Sequence, residues 1–235
     1  MQAQAQPITI DQARRDAASI FLAKVFNKMT LGLGITGVVA YLAAATGLAQ
    51  IIISSPLFLI LALGTLGLVF FLSARIDKIS ATTAYSLFFG YAVLNGFFFS
   101  SIFLRYTGAS IASTFLIAAG MFGAMAVFGM VTKRDLSGWG SFLFMGLIGI
   151  IIAFVVNIFL QSAAVHYIIS MIGVLVFTGL TAYDVQHIKR MGEEGILSQG
   201  QEAIAKGSII GALRLYLDFI NLFIMLLTFF GGGRD

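Results

Sequence analysis

The sequence predicts an all-α polytopic membrane protein with seven transmembrane helices, and three observations predict it. Hydrophobic residues make up 59% of the 235 and charged residues only 10%, whereas a soluble domain carries about a quarter charged residues. Too little polar surface remains to solvate a water-soluble fold. Seven apolar runs are each long enough to cross a hydrocarbon core, which takes roughly 20 helical residues for about 30 Å. The basic residues stand between those runs, as the orientation rule for membrane proteins requires. The same composition excludes other classes. The net charge of +4 is scattered between apolar runs, so no nucleic-acid partner is implied. No cysteine is present, which excludes thiol catalysis, disulfides and cysteine-ligated metal. His166 and His187 lie at or beyond run ends without a metal-binding spacing, and no cofactor is expected.

Residues 1–28 read as a cytoplasmic N-terminal tail rather than a cleavable signal. A Gln/Ala-rich start, Pro7 and the charged stretch from Asp11 to Asp16 precede the first long apolar run. That run, 29–49, carries Gly32, Gly34 and Gly37, small residues that let helices approach closely. The second, 57–74, stops at Arg75. The third, 81–104, holds Asn95 and stops at Arg105. The fourth, 111–131, places small residues four apart, Ala119 with Gly123 and Gly120 with Ala124, again a packing signal. The basic loop of Lys133 and Arg134 leads to Trp139, where an interfacial anchor belongs, and to the fifth run, 142–160. The sixth, 165–183, ends on Tyr183-Asp184, and a longer polar connection, 184–208, follows. The seventh is 209–230, and 231–235 form a C-terminal tail. The transmembrane domain is therefore 29–230. It shows no internal repeat, so an inverted-repeat transporter has no support.

Orientation follows from charge. Eleven of the fourteen lysines and arginines fall on one side of the runs. Arg105 and Arg234 fall on the other, and Arg214 lies inside the seventh run. The positive side faces the cytoplasm, which puts the N-terminus inside and the C-terminus outside.

Two of the ten acidic residues are out of place. Asp184 closes the sixth run. Asp218 lies about nine residues into the seventh, roughly 13–14 Å along a helix. An ionisable group at membrane depth costs a few kcal/mol and marks a pathway, a proton relay or an ion pair. Arg214, Asp218 and Asn221 are spaced four and three apart and share one face of the seventh helix, so that face should point into the bundle. The bland alternative is structural: Asp218 bridged to Arg214, and Asp184 to Arg75 or Lys189. The functional alternative is a carboxylate pair. Two carboxylates in contact at low dielectric cannot both ionise cheaply and share a proton, titrating as one unit. Deprotonated, they offer hard oxygen ligands suited to Ca²⁺, though two are too few for a tight cage. A weak, permeable site fits better than a storage site.

The strings TAYDVQHIKRM and LRLYLDFINLFIMLL, with the connection MVTKRDLSGWGSFLFMGLIGIIIAFVVNIF, resemble bacterial members of the Bax inhibitor-1 (transmembrane BAX inhibitor motif) family. The resemblance covers nearly the whole chain. It implies a fold with the seventh helix central and six wrapped around it. It implies a pH-sensitive Ca²⁺ leak governed by two aspartates, which match Asp184 and Asp218. It also implies a basic latch near the cytoplasmic end of the second helix that engages the first aspartate, for which Arg75 is the match. Arg214 departs from the family, where a small polar residue is expected, and its positive charge would oppose cation passage. The resemblance further implies a bacterial inner membrane, with the C-terminus periplasmic.

Three functions compete on these residues. The first is a pH-gated Ca²⁺ leak channel, with Ca²⁺ and protons as partners, Asp184 and Asp218 as sensor, Arg75 or Arg214 as latch or counter-charge, and Asn221 lining the pore. The second is a non-conducting regulator of a membrane-bound protease or envelope complex, with residues 1–28 as its handle. The third, an intramembrane aspartyl protease, shares the YD but lacks a GxGD motif, since bulky Leu215-Tyr216-Leu217 precedes Asp218. An enzyme is not expected.

Overall fold

A backbone in hydrocarbon must satisfy its own polar groups, each of which costs several kcal/mol if left unpaired. The chain does so with helices throughout. A computed structural model describes residues 9–232, and among these there are nine α-helices and no strand. They are α1 (Ile10–Ala45), α2 (Leu48–Ile53), α3 (Leu57–Arg75), α4 (Ala81–Phe99), α5 (Ile102–Arg105), α6 (Gly108–Val131), α7 (Ser137–Leu160), α8 (Ala163–Glu193) and α9 (Gln201–Phe230). Among the described residues seven helical segments are long and apolar enough to cross a membrane: α1, α3, α4 run on into α5, α6, α7, α8 and α9. The fold is the all-α polytopic one expected. Pro7 and Arg234 lie outside the described residues.

Local sequence sets the helix ends. Thr9, Ser80, Thr107 and Ser162 each accept a backbone N–H from the first turn of α1, α4, α6 and α8, the usual role of a hydroxyl at an N-cap. Gln161, at φ 48°, closes α7 in the left-handed region, and its N–H bonds to Asn157 O at 2.8 Å.

Two boundaries differ from the sequence reading, for one physical reason: hydropathy marks the bilayer, not the helix. α1 begins at Ile10, so most of the expected tail is helix. Its buried residues Ala18, Phe21, Leu22, Val25 and Met29 repeat at three and four, a stripe packed on the bundle, while Arg14, Arg15 and Lys24 stay exposed. The long connection also shortens to 194–200, because α8 continues to Glu193 and α9 starts at Gln201. The charges that end the apolar runs sit on these extensions and pair within a helix, Lys189 with Glu193 at 3.7 Å and Lys206 with Glu202 at 3.0 Å.

α9 is the most enclosed span: 67% of its apolar window is buried, against at most 33% for any other. It packs on α8, α1, α6 and α4. α3 and α7 stand outside, packed chiefly on α4 and α8. Four helices therefore enclose the seventh span and two flank the outside, rather than six forming an even ring. Lipid is as apolar as leucine, so close packing and polar contacts must hold such a bundle together. Gly129 of α6 lies against the Ala182 carbonyl of α8, where an added Cβ would sit 2.5 Å from that oxygen. Of the small residues singled out in the fourth run, Gly120 and Gly123 face open space, while Ala119 packs against the core. Across α1, α4 and α9, Thr36 Oγ1 donates to Ala92 O at 2.8 Å and lies 2.7 Å from the Tyr216 hydroxyl.

Candidate functional site

The extension of α8 changes the standing of Asp184. It is not a helix-terminal residue but one within the helix, nine residues before Glu193, or about 14 Å from the helix end, and 8% exposed. Asp218 is 4% exposed on the enclosed α9. α8 and α9 are packed neighbours, and the two carboxyl groups line one cavity, close enough for each to act on the other.

Arg214 is the cation at this site. Its Nη1 lies 3.3 Å from Asp184 Oδ1. The expected i, i+4 bridge from Arg214 to Asp218 is replaced by this cross-helix pair, and Asp218 Oδ2 is buried without a hydrogen-bond partner. Arg75, the other latch candidate, ends α3 on the outside of the bundle. It is exposed and makes no ion pair among the described residues. α3 leans on α4, whereas α9 lies directly against α8, which is why Arg214 and not Arg75 reaches Asp184. Lys189, the remaining structural candidate, turns away to donate to Met130 O at 2.8 Å.

A cavity of about 520 Å³ opens beside the pair between α7, α8 and α9, lined also by Ser141, Tyr183, Arg214 and Asn221. Asn221 lies where the helical spacing put it, one turn beyond Asp218, and its amide donates to Leu217 O at 2.8 Å. The Arg214 side chain is 45% exposed, so the guanidinium sits at the mouth and the carboxyls sit inside. Among the described residues no third carboxylate or imidazole joins the pair as a metal cluster. Deprotonated, the pair offers oxygen donors; protonated, it can hold one proton between two oxygens.

A second cavity, of about 730 Å³, lies towards the opposite end, bordered by Arg105, His166, Ser170 and Thr228. One turn of α9, about 5.4 Å, separates Asn221 in the first from Ile224 and Met225 in the second. Met225, in the lining of the second, packs so closely on Gly173 that a Cβ there would lie 2.9 Å from its sulfur.

Sequence reasoning missed the group that fixes the end of α8 to the loop between α6 and α7. Gln186 accepts from Leu136 N at 2.9 Å and donates to Arg134 O at 2.8 Å. Arg190 reaches Asp135 Oδ1 at 2.6 Å and Ser137 Oγ at 2.7 Å. The Ser137 N–H and hydroxyl, and then Arg190, hold the Asp135 carboxyl down at about 2. One signal was available, since Gln186 and Arg190 stand four apart, but no spacing names their partners in a distant loop.

Comparison with known proteins gives the chain relatives over nearly its whole length. The family model described as inhibitor of apoptosis-promoting Bax1 matches residues 18–235. The inner membrane protein YbhL of Escherichia coli (strain K12) is 50% identical over 222 residues, 94% of either chain. An uncharacterized protein of Deinococcus radiodurans is 44% identical over 234 residues, 99% of this chain and 96% of its own. An uncharacterized membrane protein of Streptococcus pyogenes serotype M3 is 39% identical over 216 residues, 90% and 92% of the two.

Proposed function

The chain belongs to the Bax inhibitor-1 family, and from that premise we propose that it is a pH-sensitive calcium leak channel of a bacterial inner membrane. The observation that carries the reading is the pairing of two buried carboxyl groups, one with an unpartnered oxygen, in a cavity whose mouth holds a cation. An isolated buried charge would be neutralised or paired. Here one guanidinium stands beside two acids and meets only Asp184, so the pair can take up a proton or a second cation. Ca²⁺ suits it because carboxylate oxygens are hard ligands, and two of them bind weakly enough to release the ion.

Arg214 takes the latch role that the sequence offered to Arg75. While it holds Asp184 it occupies the place a cation would take, and Met225 on Gly173 closes the route beyond Asn221. Protons act on the same pair, because protonating either acid changes what Arg214 can hold. The basic end of the bundle faces the cytoplasm, and the carboxyl pair serves ion passage, not catalysis. The bulky Leu215, Tyr216 and Leu217 stand before Asp218, the first two fully buried, where an aspartyl protease needs small residues that expose the backbone to a peptide substrate.

The experiment is Ca²⁺ release from liposomes against pH, for wild type, Asp184→Asn, Asp218→Asn, Arg214→Gln and Arg75→Gln. The proposal expects loss of the pH response in both aspartate variants and altered gating in Arg214→Gln, with Arg75→Gln close to wild type. If both aspartate variants keep wild-type flux and pH response, the channel reading fails. The alternative, a regulator of a membrane-bound protease, then stands.

A further inference from the structure

On the outer side of α8, away from the aspartates, α6 and α7 part and leave a groove of about 470 Å³. Its floor is α8 from Leu175 to Tyr183, with the small residues Gly179 and Ala182, and its walls include Phe128 of α6 and Phe142 of α7. Eight helical steps make it about 12 Å long, close to the roughly 15 Å of one leaflet of the hydrocarbon core. The lining is apolar except at the basic end, where Arg134, Asp135 and Trp139 border it.

The charge at that end is unbalanced. Lys133 and Arg134 are exposed, and neither makes an ion pair among the described residues. Asp135, the one acid beside them, is already engaged by Arg190 at 2.6 Å. The loop is not free to carry its cations away, because Gln186 clamps the Arg134 carbonyl and the Leu136 N–H. An apolar slot one leaflet deep thus ends at Arg134 and an interfacial tryptophan, with the exposed Lys133 beside Arg134 in the same loop.

We propose that this groove is a binding site for an anionic phospholipid. One acyl chain lies on Gly179 and Ala182, and the headgroup phosphate sits at Lys133 and Arg134. Basic pockets between transmembrane helices select anionic headgroups, each cation near the surface adding several-fold, so the two together give a preference on the order of tenfold over a zwitterionic lipid. The site does not depend on the aspartate pair and stands whether or not the chain conducts Ca²⁺.

The chain supplies its own probe, because Trp139 is its single tryptophan and lines the groove. The full chain is reconstituted in phosphatidylcholine vesicles containing a small fraction of acyl-brominated lipid, either phosphatidylglycerol or phosphatidylcholine, and Trp139 quenching is measured. The expected result is stronger quenching by the brominated phosphatidylglycerol, with an apparent affinity on the order of tenfold higher. The double variant Lys133→Gln/Arg134→Gln should lose that preference. The double variant Arg14→Gln/Lys24→Gln, on the exposed face of α1 at the same end, should keep it. Equal quenching by the two headgroups overturns the proposal. So does equal loss in both double variants, which would reduce the effect to general surface charge. Quenching that falls as protein is packed more densely would place a second copy in the groove and overturn it as well.

Discussion

Replacing Asp218 by asparagine should stabilise the protein in alkaline buffer and do little in acid. Both carboxyl groups are buried, and Arg214 reaches only Asp184. Asp218 Oδ2 has no donor, and a buried polar group in that state costs about 1–3 kcal/mol. An amide at this position has nearly the same shape and brings two N–H donors. One can meet the Asp184 carboxylate, and a hydrogen bond to a charged acceptor contributes about 1.5–3 kcal/mol. Taking about 2 kcal/mol as the net gain, the melting temperature should rise by roughly 4–8 °C for a chain of this size. In acid the wild-type pair takes up a shared proton and gains the same donor, so the difference closes. The sign is therefore fixed: the advantage of Asp218→Asn is full when the pair is deprotonated and vanishes as pH falls. Thermal unfolding in detergent, followed through Trp139 at several pH values, measures it. A variant that melts below wild type at every pH, or a gain that does not change with pH, would refute the contact between the two acids on which the site rests.

Two further outcomes follow from packing and from the loop. Gly129→Ala places a methyl against the Ala182 carbonyl. Overpacking of this kind costs about 2 kcal/mol, so the melting temperature should fall by several degrees, while Gly123→Ala, facing open space, should leave it unchanged or slightly raised. Asp135→Asn should lower the melting temperature at neutral pH. Because the folded carboxyl is held at about 2, below its usual value, its contribution is present above about pH 4 and is lost as pH falls through about 2, where mutant and wild type should converge when scanned across that range.

Composition alone was enough for the fold class, because a chain so poor in charge has no soluble alternative. The spans were legible for the same reason, but the helices were not, since α1, α8 and α9 continue past the bilayer on charged residues, which in α8 and α9 pair along the helix. That is why Asp184 was placed at an end when it lies well inside α8. The aspartates themselves were legible as chemical anomalies, and the stripe of Arg214, Asp218 and Asn221 followed from helical spacing. Which cation meets which acid was not legible. Spacing favoured Arg214 with Asp218 on one helix, and resemblance favoured Arg75 with Asp184. The bundle instead joins Arg214 to Asp184, because α9 faces α8 and α3 faces α4. Pairing across helices depends on which neighbours the packing selects, and no periodicity within one helix reports it.

The identity of that cation changes how the proposed channel would work. A latch on α3 would tie the aspartates to the movement of an outer helix that packs mainly on α4, so opening would require the two helices to part. Arg214 sits on the same helix as Asp218, one turn away, and its side chain is already half exposed. It can leave Asp184 by a change of rotamer, without displacing any helix. A gate so placed responds to the protonation of its own partner. The remaining barrier, Met225 on Gly173, is equally local: an unbranched side chain with a soft thioether adapts to its surroundings more readily than a branched one. In the proposed mechanism both closures are therefore side-chain events along α9, and the rest of the bundle serves to keep that helix enclosed.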